Sequence, residues 1–167
     1  MTDTIRLLKG IPIFAGLSNE ELEKISSLCT QKEFAKGEIV VKEGDLAREL
    51  YIVKEGAVEI VKGAGSDEEH SLARLWEGDC FGEMALIDIQ PRSASVRTTR
   101  DSMIFALSNR DFLKLYQWKL HTYTMIVLNI AKEISRRLRK ADSAIADFVT
   151  KEREDGGRPD PDTIDEA

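Results

Sequence analysis

The pattern of apolar and polar positions changes character twice along the chain. Residues 4–30 read as helical. Leu22, Ile25 and Leu28 recur at spacings of three behind Ser18-Asn-Glu-Glu21. That tetrad is a capping-box sequence, in which a hydroxyl and a carboxylate satisfy each other's orphan backbone donors. Ahead of it, Ile11, Ile13, Phe14 and Leu17 lie in the Pro/Gly-punctuated turn "IPIFAGLS". From Gln31 to about Ser108 the apolar runs shorten to "EIVV", "ELYIV", "AVEIV", "HSLARL", "ASVRTT" and "SMIFALS", several set off by glycine. Strands this short, with turn signals roughly every ten residues, predict an all-β barrel or sandwich.

Helical spacing returns at Ser108-Asn-Arg-Asp111, a second cap-like sequence leading into "FLKLYQW". A long helix is expected from about Tyr123 to Phe148. Val127, Ala131, Ile134, Leu138, Ala141, Ile145 and Phe148 alternate spacings of four and three, the seam of a heptad helix. Residues from Val127 to Leu138 are expected to pack against the β layer. Ala141, Ile145 and Phe148 extend the same seam beyond it. The end of the chain, "EREDGGRPDPDTIDEA", has almost no apolar content and is expected to be disordered. The expected organisation is therefore a β domain with N-terminal helices over residues 1–122, a long helix over 123–149 and an acidic tail over 150–167.

Composition narrows the function more than the fold. The 167 residues carry a net charge of −6, and residues 151–167 supply −4 of it, seven acids against three bases. The rest has no basic surplus of the kind nucleic-acid binders show. The N-terminus "MTDTIRLLKG" has no apolar core for a secretory leader, and no apolar run approaches a membrane span. A cytoplasmic protein that binds neither nucleic acid nor membrane is expected. Cys29 and Cys80 make no disulfide framework and read as buried small hydrophobes. His70 and His121 are too few and too far apart for a metal site. The bases between Lys132 and Lys140 read as a solvated helix face, and Trp76 and Trp118 as packing or partner contacts.

The chemistry concentrates in "FGEMALIDIQPRSASV", residues 81–96. A glycine beside an acid, just before a helical turn, lets backbone N–H groups approach an anion closely. Arg92 can clamp the same anion in bidentate fashion, and the Ser93 hydroxyl adds a donor. Glu83 repels phosphate but accepts from a sugar hydroxyl. Phosphate plus hydroxyl spells a nucleotide. The competing reading of the same residues is a structural Glu83–Arg92 ion pair on a loop.

The segment resembles the phosphate-binding cassette of cyclic-nucleotide-binding domains, the sensor family of catabolite activator proteins and kinase regulatory subunits. The family pattern is Phe-Gly-Glu, an aliphatic residue, Ala-Leu, a short insert, then Pro-Arg, a small residue, Ala, a hydroxyl residue and Val. The chain follows it without a gap. Upstream, "KGEIVVKEGD" and "LYIVKEGAVEIV" resemble the family's first strands and glycine turns. The resemblance implies an eight-stranded antiparallel β-roll, a jelly-roll barrel, with flanking helices. It implies that Glu83 accepts the ribose 2′-hydroxyl beside the Gly82 backbone. It implies that Arg92 pairs with the cyclic phosphate, and that N–H groups near Ala85 and from Ser93 and Ala94 complete the anion cradle. Some relatives reach the base with a Thr-Ser pair on the long helix. Counted from "SRRL", the matching positions are Ala141 and Asp142, which lack those hydroxyls; they are the expected base or lid contacts, with Asp142 able to accept from the adenine amino group instead.

No catalytic set accompanies the cassette, and a winged helix-turn-helix does not follow the long helix. The expected protein is thus a stand-alone, non-enzymatic sensor needing no cofactor or metal. Its expected ligand is 3′,5′-cyclic AMP (cAMP), with cyclic GMP (cGMP) the alternative. Its output would pass through movement of the C-terminal helix, expected to be either a lid over the nucleotide or a homodimer helix on the heptad seam, to a protein effector or a second copy. The rival expectation is a scaffold or dimerisation module with a vestigial pocket.

Overall fold

The computed structural model describes residues 3–155. Two compact units divide it, with the boundary between Ala131 and Lys132. In the first unit, α1 (Asp3–Gly10) and α2 (Asn19–Leu28) flank a 3-10 turn at Pro12–Phe14. The expected capping box is present: Ser18 N–H donates to Glu21 at 2.8 Å, and Glu21 N–H donates to the Ser18 hydroxyl at 3.3 Å. Eight strands follow: β1 (Thr30–Phe34), β2 (Ile39–Val41), β3 (Glu49–Glu55), β4 (Ala57–Lys62), β5 (His70–Trp76), β6 (Cys80–Phe81), β7 (Ser95–Thr98) and β8 (Ser102–Ser108). The helices α3 (Asn109–Trp118) and α4 (Leu120–Asp155) complete the order. The Ser108 hydroxyl caps α3 by accepting from Asp111 N–H at 3.0 Å.

All strand pairings are antiparallel, in two four-stranded sheets ordered β1-β8-β3-β6 and β2-β7-β4-β5. The expected mainly β architecture with flanking helices is the observed one, but the sheets do not close into a barrel. Each keeps two edge strands. Bulges break the register in β2, β3 and β5. Strand alternation divides the core. Tyr51 and Val53 point into the roll with Val58, Phe81, Val96, Ile104 and Ala106. Leu50 and Ile52, on the other face of β3, are equally buried. β3 is therefore covered on both sides, and α3 contacts the neighbouring β8.

The buried stripe on the first turns of α4 is offset from the expected seam. Thr122, Ile126, Asn129 and Ile130 are buried, whereas Val127 is half-buried and Ala131 exposed. Two polar residues belong to that stripe because each has a partner. Thr122 donates to Glu21 at 2.7 Å, and the Asn129 amide donates to the Ile13 and Ala15 carbonyls at 3.2 and 2.9 Å. The second unit is the rest of α4. Ile134 is half-buried there, and Leu138, Ala141 and Ile145 are exposed. The helix runs to Asp155, so the first residues of the expected tail are helical. The Phe148 side chain and residues 156–167 lie outside the described residues.

Candidate functional site

The cassette begins where β6 ends. Gly82 takes the left-handed conformation at φ +74° and caps a 3-10 turn over Glu83–Leu86. Only glycine adopts that conformation without strain. A Cβ on Gly82 would overlap the Arg92 Nη1 atom and come within 3.0 Å of the Glu49 carbonyl oxygen. The missing side chain is thus the space in which the guanidinium lies. The turn buries Glu83 at 3% exposure and Ala85 at 1%. The Ala85 N–H closes the turn onto the Gly82 carbonyl at 3.1 Å.

Arg92 and Ala94 return on the segment leading into β7. Arg92 donates through Nη2 to the Glu49 carbonyl at 2.7 Å and lies 5.6 Å from the Tyr51 ring centre. Burial holds the guanidinium below its ordinary value, against the favourable electrostatic influence of Tyr51, Glu49 and Glu83. The backbone here is laced to the turn after β2. Arg92 N–H donates to the Asp45 carbonyl at 2.8 Å, Gly44 N–H to the Arg92 carbonyl at 2.9 Å, and Ala47 N–H to the Gln90 carbonyl at 2.9 Å. Ala94 is buried and Ser93 exposed.

Two residues outside the cassette, Glu49 and Tyr51, flank Arg92, and Lys32 joins them. The Tyr51 hydroxyl donates to Glu49 at 2.6 Å, and Lys32 reaches the same carboxylate at 2.8 Å. Burial works against ionisation of Glu49, but the bonds from Lys32 and Tyr51 still hold its carboxyl below the ordinary range. Burial, reinforced by the bond to Glu49, pushes the Tyr51 phenol up. The period-2 rule alone puts Glu49 and Tyr51 on one face of β3, yet nothing in the sequence aims that face at Arg92. A cavity of about 490 Å³ opens on the same side, lined by Val40, Val41, Glu49, Tyr51 and Arg92 among others. Of the cassette side chains expected to bind, Arg92 is the one that lines it among the described residues.

The structure therefore brings Gly82, Glu83, Ala85, Arg92, Ser93 and Ala94 onto two adjoining segments. Ala141 and Asp142 are exposed residues of α4 in the second unit. Cys29 and Cys80 are half-buried instead of fully buried, and burial pushes the Cys29 thiol up to about 12, which opposes nucleophilic chemistry. Among the described residues, no three His, Cys, Asp or Glu side chains are grouped to hold a metal. No helix among them is long and apolar enough to cross a membrane.

Comparison with known proteins gives a consistent result. Residues 31–118 match the model of the cyclic nucleotide-binding domain. The cyclic AMP receptor protein of Thermus thermophilus is 35% identical over 135 residues, 81% of this chain and 61% of that protein. A cAMP-dependent protein kinase regulatory subunit of Blastocladiella emersonii is 31% identical over 108 residues, 65% of this chain and 27% of that protein. The crystal structure of Thermus thermophilus catabolite activator protein superposes with a TM-score of 0.73 at 33% identity, covering 83% of this chain and 63% of that one. The chain thus spans about three fifths of the length of the first of these proteins and about a quarter of the second.

Proposed function

The chain belongs to the cyclic nucleotide-binding domain family, and from that premise we propose that it is a sensor of 3′,5′-cyclic AMP. The observation that carries the reading is a buried Glu83 directly beside a side-chain-free Gly82 over which the Arg92 guanidinium is lodged. In this reading Arg92 and the N–H groups of Ser93 and Ala94 take the cyclic phosphate. Glu83 accepts the ribose 2′-hydroxyl. Arg92 already lies against the Glu49 carbonyl and the Tyr51 ring, so little rotamer freedom is lost when an anion arrives. Adenine is favoured over guanine by the likeness to a protein named as a cyclic AMP receptor.

Output passes through α4 to a protein effector or a second copy, by a shift in population between two positions of the helix. The exposed Leu138 and Ile145 are the apolar surface such a contact would cover. Calorimetric titration of the protein with cAMP and cGMP tests the reading directly. Saturable binding of cAMP, tighter than of cGMP, is expected. Heat from neither would leave a scaffold with a vestigial pocket.

A further inference from the structure

One ion pair on the rim of the roll touches the cassette backbone without belonging to the cassette. Lys62, the last residue of β4, places its ammonium between the Glu43 carboxylate and the Ser93 carbonyl, 2.8 Å from the latter. Glu43 is itself fixed twice. Its carboxylate accepts from Gly63 N–H at 3.1 Å, and its N–H donates to the Ser95 hydroxyl at 2.9 Å. A trans peptide is planar, so its C=O and N–H point in opposite directions. By holding the Ser93 carbonyl, Lys62 turns the Ala94 N–H the other way. The preceding peptide is set likewise, because Gly44 N–H holds the Arg92 carbonyl at 2.9 Å. No backbone partner takes the Ser93 or Ala94 N–H among the described residues.

We propose that Lys62, tethered by Glu43, is a positioning residue that orients the Ser93–Ala94 peptide and so sets the affinity of the cassette for an anionic ligand. The inference rests on the cyclic-nucleotide reading above and deepens it. Lys62 acts through a carbonyl and lies outside the lining of the cavity that Arg92 faces. A bare positive field would be a different device with the opposite signature. Removing Glu43 leaves the Lys62 charge uncompensated, so a field would strengthen anion binding, whereas loss of the tether weakens it.

The test uses the intact chain with cAMP as probe, in the wild type and in Lys62→Met, Lys62→Arg and Glu43→Ala. Affinity is read by calorimetry and the Ala94 amide proton by heteronuclear NMR. The contact is exposed and acts through one peptide, so Lys62→Met should weaken cAMP binding by about threefold to fivefold. Lys62→Arg, which can still donate to the carbonyl, should recover most of it. Glu43→Ala should bind more weakly than wild type. The downfield shift of the Ala94 amide proton on ligand addition should shrink in Lys62→Met and return in Lys62→Arg, a response that general loosening of the surface would not give. Wild-type affinity in Lys62→Met, an unchanged Ala94 shift, or tighter binding by Glu43→Ala would overturn the positioning role alone. A wild type that binds neither cAMP nor cGMP would overturn the sensor reading, and this inference with it.

Discussion

Replacing Gly82 by alanine isolates the feature on which the cassette is built. Two penalties add. The backbone stands at φ +74°, and an L-residue held there is strained by roughly 1–2 kcal/mol. The new methyl would also overlap Arg92 Nη1, and 3.0 Å away lies the Glu49 carbonyl, part of a strand that is buried on both faces and cannot retreat. The guanidinium is the movable partner, so it must leave. It then loses the 2.7 Å bond to Glu49 and its place over Tyr51, about 1.5–3 kcal/mol for a charge-assisted bond. The expected loss is about 2.5–5 kcal/mol, measured as the free energy of urea unfolding without ligand. Gly82→Asn separates the two penalties, since asparagine tolerates the left-handed region but brings the same Cβ. It should recover part of the strain and none of the overlap. A Gly82→Ala protein within about 0.5 kcal/mol of wild type, the range of an ordinary surface substitution, would refute the argument.

Three further outcomes follow from named contacts. Arg92→Ala should cost about 2–5 kcal/mol of cyclic-nucleotide binding, roughly 30-fold or more in calorimetric affinity, and Arg92→Lys should fall well short of wild type because lysine cannot make a bidentate contact. With Glu83 accepting the 2′-hydroxyl, 2′-deoxy-cAMP should bind the wild type much more weakly than cAMP, and Glu83→Ala should erase most of that preference; equal binding of both to the wild type would contradict the ribose role. Glu21 contributes to the acid limb of stability. Burial opposes its charge, but Ser18 N–H, Thr122 and Lys119 hold its pKa at about 2, below the ordinary 4.5. A depressed carboxylate stabilises the fold above its unfolded value and loses that contribution as pH falls through its folded value. The advantage of wild type over Glu21→Gln, on the order of 3 kcal/mol at neutral pH, should therefore vanish between about pH 5 and pH 2 in urea titrations.

Helix starts and central strands were legible because their causes are local. Ser18 and Ser108 cap the helices they precede, and the short apolar runs "ELYIV" and "SMIFALS" mark β3 and β8. β1 was not legible. Its sequence "TQKEF" is polar and charged, as an edge strand permits, and its pairing with β8 is a contact about seventy residues away in the chain. The two residues of β6 are too few to show a period. Barrel closure is a property of how two edges meet, and no single strand records it. The cassette was readable as a contiguous pattern, but its supports were not. Tyr51, Glu49, Lys32, Lys62 and Glu43 come from distant strands and turns and share no spacing with Arg92 or Ser93. The offset stripe on α4 has the same origin, since Thr122 and Asn129 count as polar until Glu21 and the Ile13 and Ala15 carbonyls are placed beside them.

The open sheets carry a further consequence, for solubility. β5 lies at the end of its sheet and pairs with β4 alone, with six of its seven side chains exposed. An exposed strand edge is a template on which another chain can add itself, the first step toward aggregation. Here that edge is broken by the bulge opposite Ile60 and Val61, carries His70 and Arg74 along its length, and is entered from a loop bearing Glu68 and Glu69. Charge and an irregular register guard the strand where a closed barrel would have had no edge to protect.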